Sequence, residues 1–500
     1  MGIIQRQSLK FTAINFLVTF IGFLSVIFIY PLDQKLYGLF QVVFSYAALL
    51  VPILTLGIHG GIVKYFPIFT LKGREKNFLS FTLLMTTGIV LITTPIAIGI
   101  YYLFRSKMFE IFDNFKDIDD NKVYILILSY LLMYGSVFLY HAVARFRIVV
   151  PEIINTSLLK IFLPFAILMT YWGIWNRGNF LIIILVYFAF VLIALIWYLL
   201  SISKQSLNPQ VETLDRKEYR QFFAFITFAM LNGLGASLAL RLDNIMIGSM
   251  LSLEAVAVYA IINTISNVME IPAKAINQIA SPVISSNWAN KNHANIQDVY
   301  QKSSVFGLGG GIFLFLILFF IWPELLTLMG SSFHAELPTV LWIFTLLSLA
   351  KIIDLMTGVN SVIIIYSNYY RYHMYFLLVL AAVNVILNYY LLMKIGIIGA
   401  ALATAISFIT FNLLKNYFVK RRFGYFIDFS PHLKIVISGL ICFGMMYFVS
   451  LPWHPIISII IKCTLTTTIF GGLMYYFNPG GEIRQIVHNY WQQGRSKFPF

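Results

Sequence analysis

The 500 residues are 59% hydrophobic and only 11% charged, where soluble globular domains carry roughly 25% charged residues. Apolar runs of about twenty residues recur along the whole chain, which excludes a soluble protein, and their continuous character excludes an alternating β-barrel. The net charge of +15 is better explained by Lys and Arg gathered in cytoplasmic loops than by a nucleic-acid surface.

The chain is expected to be an all-α polytopic membrane protein with about fourteen spans, at ~20 residues per crossing. The first is near 9–30, where the run Phe11 to Tyr30 is too long for a signal-peptide core and is read as retained. The next five are near 36–66, 78–104, 122–145, 153–173 and 180–202. A polar connection with Asn208-Pro209 follows, then spans near 220–241, 244–283, 303–326, 337–365, 373–393, 397–419, 432–450 and 455–477. The second, eighth and tenth are long and interrupted by Pro or Gly, which predicts kinks. The division expected is an N-terminal lobe 1–203, a cytoplasmic linker 204–219, a C-terminal lobe 220–420, and a pair of helices with a tail in 421–500.

Arg6, Lys10, Lys72, Arg74, Arg145, Arg147, Lys420, Arg421 and Arg422, among others, gather on one side. Lys35, Arg105, Lys107, Lys116, Lys122, Arg177 and Lys394 fall on the other. The asymmetry predicts both termini in the cytoplasm, although the outer loop Arg105 to Lys122 carries cations against the trend. Tyr37-Gly38 in the second span and Tyr259-Ala260 in the eighth each precede an interior proline, Pro52 and Pro272. Such faint repeats suit a secondary transporter. Gly481 to Tyr490 is expected to form a short amphipathic surface helix.

The sequence has no Gly-x-x-x-x-Gly-Lys phosphate loop, His-Glu-x-x-His, Cys-x-x-Cys or Gly-x-Ser-x-Gly. A non-enzyme without cofactor or metal is expected. Cys442 and Cys463 both fall in apolar runs. Gly307, Gly309, Gly310 and Gly311 suit close helix packing, and His59 and His141 read as structural histidines. Charges inside spans are more informative, since each costs about 2.5–3.5 kcal/mol at the bilayer centre on insertion scales. Lys64 and Lys160 have no acid three or four residues away; each either faces a cavity or snorkels to the headgroups. Glu270 and Lys274, at i and i+4, flank Pro272, and Lys351 and Asp354 are at i and i+3; both are expected to form pairs, either to ease insertion or to line a hydrated path. Arg241 and Asp243, two apart, cannot face each other on a straight helix.

Asn384 and Asn388 lie four apart on one helix face, which must look at protein or water rather than lipid. They precede Gly396-Ile397-Ile398-Gly399-Ala400-Ala401-Leu402-Ala403-Thr404, whose small residues admit a close neighbouring backbone. This Asn-rich helix end and glycine-alanine opening resemble the late helices of the multidrug/oligosaccharidyl-lipid/polysaccharide exporter superfamily, and most of all its polysaccharide-unit flippases. Ala239 to Gly248, Ala255 to Ala260 and Pro323 to Gly330 are similar to further elements of that family. The resemblance implies two six-helix lobes forming a V with two added C-terminal helices, alternating access, and transport of a lipid-linked oligosaccharide in a bacterial inner membrane.

Such a substrate has an anionic head, a polar sugar and a lipid tail. The candidates for its phosphates are Lys64, Lys160, Lys274 and Lys351, with Arg145 at the cytoplasmic mouth. Those for its sugar are Asn232, Asn263, Asn267, Asn384 and Asn388. Arg241, Asp243, Glu270 and Asp354 are candidates for ion coupling or cavity ion pairs. The expected partners are the lipid-linked substrate, membrane lipid and a polysaccharide polymerase, with the transporter itself a monomer. The alternatives are a cation-coupled multidrug exporter, which would want unpaired acids in the first lobe, and a membrane glycan polymerase or acyltransferase, which would want a larger outward loop.

Overall fold

The computed structural model of the chain describes residues 17–71, 75–112, 114–147, 149–203, 216–481 and 484–485. Among these there are helices and no strands. The first span is represented by α1 (Leu17–Phe28). Then follow α2 (Gln34–Thr55), α3 (Ile58–Leu71), α4 (Glu75–Ile111), α5 (Phe115–Asp120), α6 (Lys122–Ala144), α7 (Val149–Glu152), a π-helical turn Ile153–Ser157, α8 (Leu159–Tyr171) and α9 (Phe180–Ser203). Beyond them lie α10 (Arg216–Met250), α11 (Leu253–Ser266), α12 (Glu270–Ala289), α13 (His293–Met329) and α14 (Leu337–Met356). The last are α15 (Asn360–Tyr366), α16 (Arg371–Ile395), α17 (Ile397–Phe423), α18 (Phe429–Tyr447) and α19 (Pro455–Phe477). Thirteen helical segments of the described residues are long and apolar enough to cross a membrane, beside the shorter α1. The protein is therefore an all-α, multi-pass membrane protein.

The chain divides into two compact units, Met1–Ala260 and Ile261–Phe500. Residues 204–215 of the expected linker, and 482–483 and 486–490 of the expected tail helix, lie outside the described residues. In the first unit α10 packs tightly with the N-terminal helices. The chain breaks at Leu56 and Gly57, both at positive φ (45° and 72°). A Cβ on Gly57 would fall 2.3 Å from the Met230 backbone nitrogen and 2.5 Å from the Ile226 carbonyl oxygen, so only glycine lets α2, α3 and α10 meet there. Ile58, Ile62, Phe66, Phe78, Phe81, Phe222 and Ile226 form the apolar core around this junction.

The expected boundary between the seventh and eighth spans is corrected. Residues 244–250 continue α10 instead of opening the next helix. Asn114 explains the end: its backbone N–H donates to the Ser249 carbonyl at 3.0 Å and its amide to that of Leu251, satisfying acceptors that a helix terminus leaves open. Ser252 then caps α11, accepting from the Ala255 N–H at 3.1 Å. The three spans expected to kink do so. Besides the break at Leu56, a 3-10 turn at Asn267–Met269 separates α11 from α12, and residues 357–359 part α14 from α15.

Within the second unit the glycines of α13 seat its neighbours, as the sequence predicts. A Cβ on Gly307 would meet the Leu355 carbonyl oxygen at 2.5 Å, and one on Gly310 would meet Pro272 at 3.3 Å. The hairpin of α16 and α17 is equally close, with the Gly399 Cβ position 2.2 Å from the Leu391 carbonyl oxygen.

Candidate functional site

The second unit carries a row of charges on three helices. Glu270 opens α12 after the 3-10 turn, with Pro272 in the first turn, where its missing N–H costs nothing. Its two carboxylate oxygens are divided between two ammonium groups: Oε1 lies 2.6 Å from Lys351 Nζ, and Oε2 lies 3.2 Å from Lys274 Nζ. Lys351, on α14, also donates to Asn267 Oδ1 at 2.6 Å. The Lys351 side chain is 15% exposed, Glu270 36% and Lys274 75%. The carboxylate thus bridges a sheltered cation and an open one.

One turn further along α14, Asp354 faces α17 and pairs with Lys415 at 3.5 Å. Lys415 is 1% exposed while Asp354 is 44% exposed. The lysine also donates to Ser361 Oγ at 2.9 Å and lies 4.0 Å from the Phe411 ring centroid. The expected pair of Lys351 with Asp354 does not form, and this is a correction: each residue has a nearer partner on another helix, which the spacing along α14 could not reveal. The pair of Glu270 with Lys274 forms as expected. Together the row has three ammonium groups against two carboxylates.

The first unit holds the other candidate cations. Lys64, on α3, is exposed, and its Nζ stands 3.9 Å from the Phe225 ring centroid, with no carboxylate at pairing distance among the described residues. The Arg145 guanidinium lies 4.5 Å from the Phe66 centroid and donates from Nη1 to the His141 carbonyl at 2.8 Å. Lys160 is exposed at the start of α8, donates to Thr19 Oγ1 at 3.3 Å, and runs its stem along Gly22 of α1. Arg241 stacks 4.9 Å from Phe44, while Asp243 accepts from the Tyr259 hydroxyl at 2.5 Å; the two diverge, as their spacing requires. Asn232 and Asn263 are half-buried.

Asn384 and Asn388, the last two candidates for the sugar, face protein. Both are buried between α16 and α17. Asn384 donates to Thr404 Oγ1 at 3.2 Å, and Asn388 donates to Asn384 Oδ1 at 2.9 Å. They pin two helices together, which is the protein-facing alternative of the sequence reading. His141 is likewise structural, buried with Nε2 2.7 Å from Thr82 Oγ1.

Two lysines escaped the sequence reading. Lys415 is one. The other is Lys462 on α19, which pairs with Glu324 of α13 at 2.5 Å and donates to the Phe320 carbonyl at 3.0 Å. The signal that finds them is the one used for Lys64 and Lys160: a cation well inside an apolar span. Their acids lie far away in sequence, so their pairing is a property of the fold.

Comparison with known proteins bears on the family and the fold. A family described as polysaccharide biosynthesis protein matches residues 8–288, more than half of the chain, and the MatE family matches residues 229–390. Over 315 residues the chain is 22% identical to a probable low-salt glycan biosynthesis flippase, Agl15, of Haloferax volcanii, covering 60% of this chain and 63% of that one. The match thus spans less than two thirds of the relative's length. Among solved structures the fold is similar to the lipid II flippase MurJ in an inward closed conformation, with TM-score 0.69 and 18% identity over 94% of this chain and 99% of that one. It is also similar to an inward-facing multidrug resistance MATE family transporter, with TM-score 0.56 and 14% identity over 81% of this chain and 94% of that one. At such identities these two likenesses speak for the fold alone. The span of the first family match decides the assignment: the chain belongs to the polysaccharide biosynthesis protein family, within the multidrug/oligosaccharidyl-lipid/polysaccharide exporter superfamily.

Proposed function

We propose that the protein is a flippase that moves a polyprenyl-(pyro)phosphate-linked oligosaccharide unit from the cytoplasmic to the outer leaflet of the cytoplasmic membrane by alternating access. The product feeds synthesis of a surface polysaccharide such as O-antigen, capsule or exopolysaccharide. Family membership and the glycan-flippase relative support the reaction class. The observation that carries the reading is the Glu270 carboxylate held between Lys274 and Lys351. A phosphate oxygen makes the same demand on those two ammonium groups, and lysine meets it as a point charge without a fixed fork. In this reading Glu270 is an internal counter-ion. It keeps the paired cations tolerable in a membrane and is displaced when the substrate head arrives.

Lys64, Lys160 and Arg145 serve as further phosphate contacts, and Asn232, Asn263 and Asn267 as sugar contacts. An inside-negative potential favours outward movement of an anion by about 2.3 kcal/mol per charge per 100 mV. Coupling to a cation through Asp243, Glu270 or Asp354 is the competing energy source, and vesicles with each gradient imposed separately distinguish them. The protein acts as a monomer, with both termini in the cytoplasm, beside a polysaccharide polymerase.

The test is a deletion strain analysed for surface glycan and for lipid-linked intermediates by mass. Loss of surface glycan with accumulation of the intermediate on the cytoplasmic side is expected. Normal glycan with hypersensitivity to cationic drugs would replace this reading with the exporter.

A further inference from the structure

A second cationic assembly lies in the same unit, away from the charges of α12 and α14. At one end of the hairpin formed by α16 and α17, three arginines rest on three different tyrosine rings. The Arg371 guanidinium lies 5.8 Å from the Tyr370 centroid, Arg421 lies 5.9 Å from Tyr417, and Arg422 lies 5.4 Å from Tyr369. Arg421 Nη1 also donates to the Tyr417 hydroxyl at 2.9 Å. Tyr369, beneath Arg422, joins the start of α16 to the end of α17, packing 5.9 Å from both Phe418 and Phe423. All three arginines and the adjacent Lys420 are exposed, and none pairs with a carboxylate among the described residues. The carboxylate nearest in sequence, Asp428, is engaged in capping α18 through the Ser430 N–H at 2.9 Å.

Helix stabilisation accounts for part of this. Lys420, Arg421 and Arg422 occupy the last turn of α17, where cations complement the helix dipole. Arg371 occupies the first turn of α16, where the dipole opposes a cation, so helix stabilisation does not account for it. The α16 helix has 25 residues, about 37 Å at 1.5 Å per residue, which exceeds a hydrocarbon core of ~30 Å. Its end therefore reaches headgroup level, where tyrosines gather.

We propose that Arg371, Arg421 and Arg422 form a binding site for the phosphate headgroup of an anionic membrane phospholipid, with the tyrosines holding the guanidinium planes ready. Arginine offers a planar donor fork to phosphate, and an aromatic face beneath it limits the freedom lost on binding. An acidic protein partner would meet the same charges, but only a lipid is already present at this depth.

The test is native mass spectrometry of the full chain titrated with phosphatidylglycerol or phosphatidylcholine. The wild type is expected to bind the first phosphatidylglycerol at least about tenfold more tightly. Each cation near an anionic lipid surface is worth a factor of about five, so Arg371→Gln and Arg422→Gln should each reduce the preference by about that factor. Arg422→Lys, which keeps the charge and loses the planar fork, should fall between. Circular dichroism and monodisperse elution report folding of each variant, and Arg371→Gln and Arg422→Gln are read independently, so that the misfolding of one leaves the other as the test. Three results would overturn the proposal: a preference unchanged in every arginine variant, an equal drop in Lys434→Gln, or displacement of phosphatidylglycerol by equimolar inorganic phosphate.

Discussion

Replacing Glu270 by Gln removes the anion between Lys274 and Lys351 while keeping the side chain's shape. The contact with Lys274 is open to solvent and contributes about 0–1 kcal/mol. The contact with Lys351 at 2.6 Å is more sheltered. Breaking a fully buried pair costs about 3–5 kcal/mol, but Glu270 is one third exposed and the new amide oxygen still accepts from Lys351. A net destabilisation of about 2 kcal/mol follows. Binding should move the other way. With its internal competitor gone, the lysine pair should hold a polyprenyl pyrophosphate about tenfold more tightly, equivalent to about 1.4 kcal/mol. Flipping should slow, because the carboxylate no longer returns to expel the head. Lys351→Gln should weaken binding by a similar factor. Isothermal titration of the purified protein and a vesicle flipping assay measure the two effects separately. If Glu270→Gln loses affinity as Lys351→Gln does, the carboxylate is a substrate ligand or a scaffold and the displacement argument fails. If affinity is unchanged and only the response to an ion gradient disappears, Glu270 belongs to the coupling machinery.

Removing either partner of the pair formed by Asp354 and Lys415 strands a charge. Asp354→Ala should lower stability by about 2–4 kcal/mol, toward the buried-pair range because the lysine is enclosed, and Asp354→Ala with Lys415→Met should recover most of it in thermal unfolding of detergent-solubilised protein. Gly399→Ala forces a methyl onto the Leu391 carbonyl and should cost about 3 kcal/mol or more, whereas Gly444→Ala, with nothing within 4 Å of the new atom, should change the melting temperature little. Asn384→Ala should cost about 1–2 kcal/mol by removing contacts to Thr404 and Asn388, with no change in affinity for the lipid pyrophosphate.

How far the sequence reaches depends on the range of the interaction. Apolar run length fixed the spans because crossing ~30 Å of hydrocarbon is a local demand on about twenty consecutive residues. The pair of Glu270 and Lys274 was legible for the same reason, being one turn of one helix. The boundary at Met250 was missed because what ends α10 is Asn114, more than a hundred residues upstream, although Ser252 carried a readable capping signal. The partners of Lys351, Asp354 and Lys462 were out of reach because each acid or cation comes from a different helix.

Lys351 and Asp354 show why a spacing rule can find the right residues and still name the wrong bond. Two opposite charges at i and i+3 are within reach of each other, but the contact is worth only about 0.2–0.5 kcal/mol on an isolated helix. Glu270 and Lys415 offer each of them a partner whose own charge must be neutralised inside the membrane. A local pair would leave Lys415, at 1% exposure, as an isolated buried ammonium, and that penalty of several kcal/mol exceeds anything the local pair supplies. The cross-helix pairing therefore prevails, and it ties α14 to α12 and α17 through the charges themselves. Under the proposed function, an arriving anion that draws Lys351 away from Glu270 would loosen one of those ties, so substrate binding and helix packing in this unit would depend on the same carboxylate.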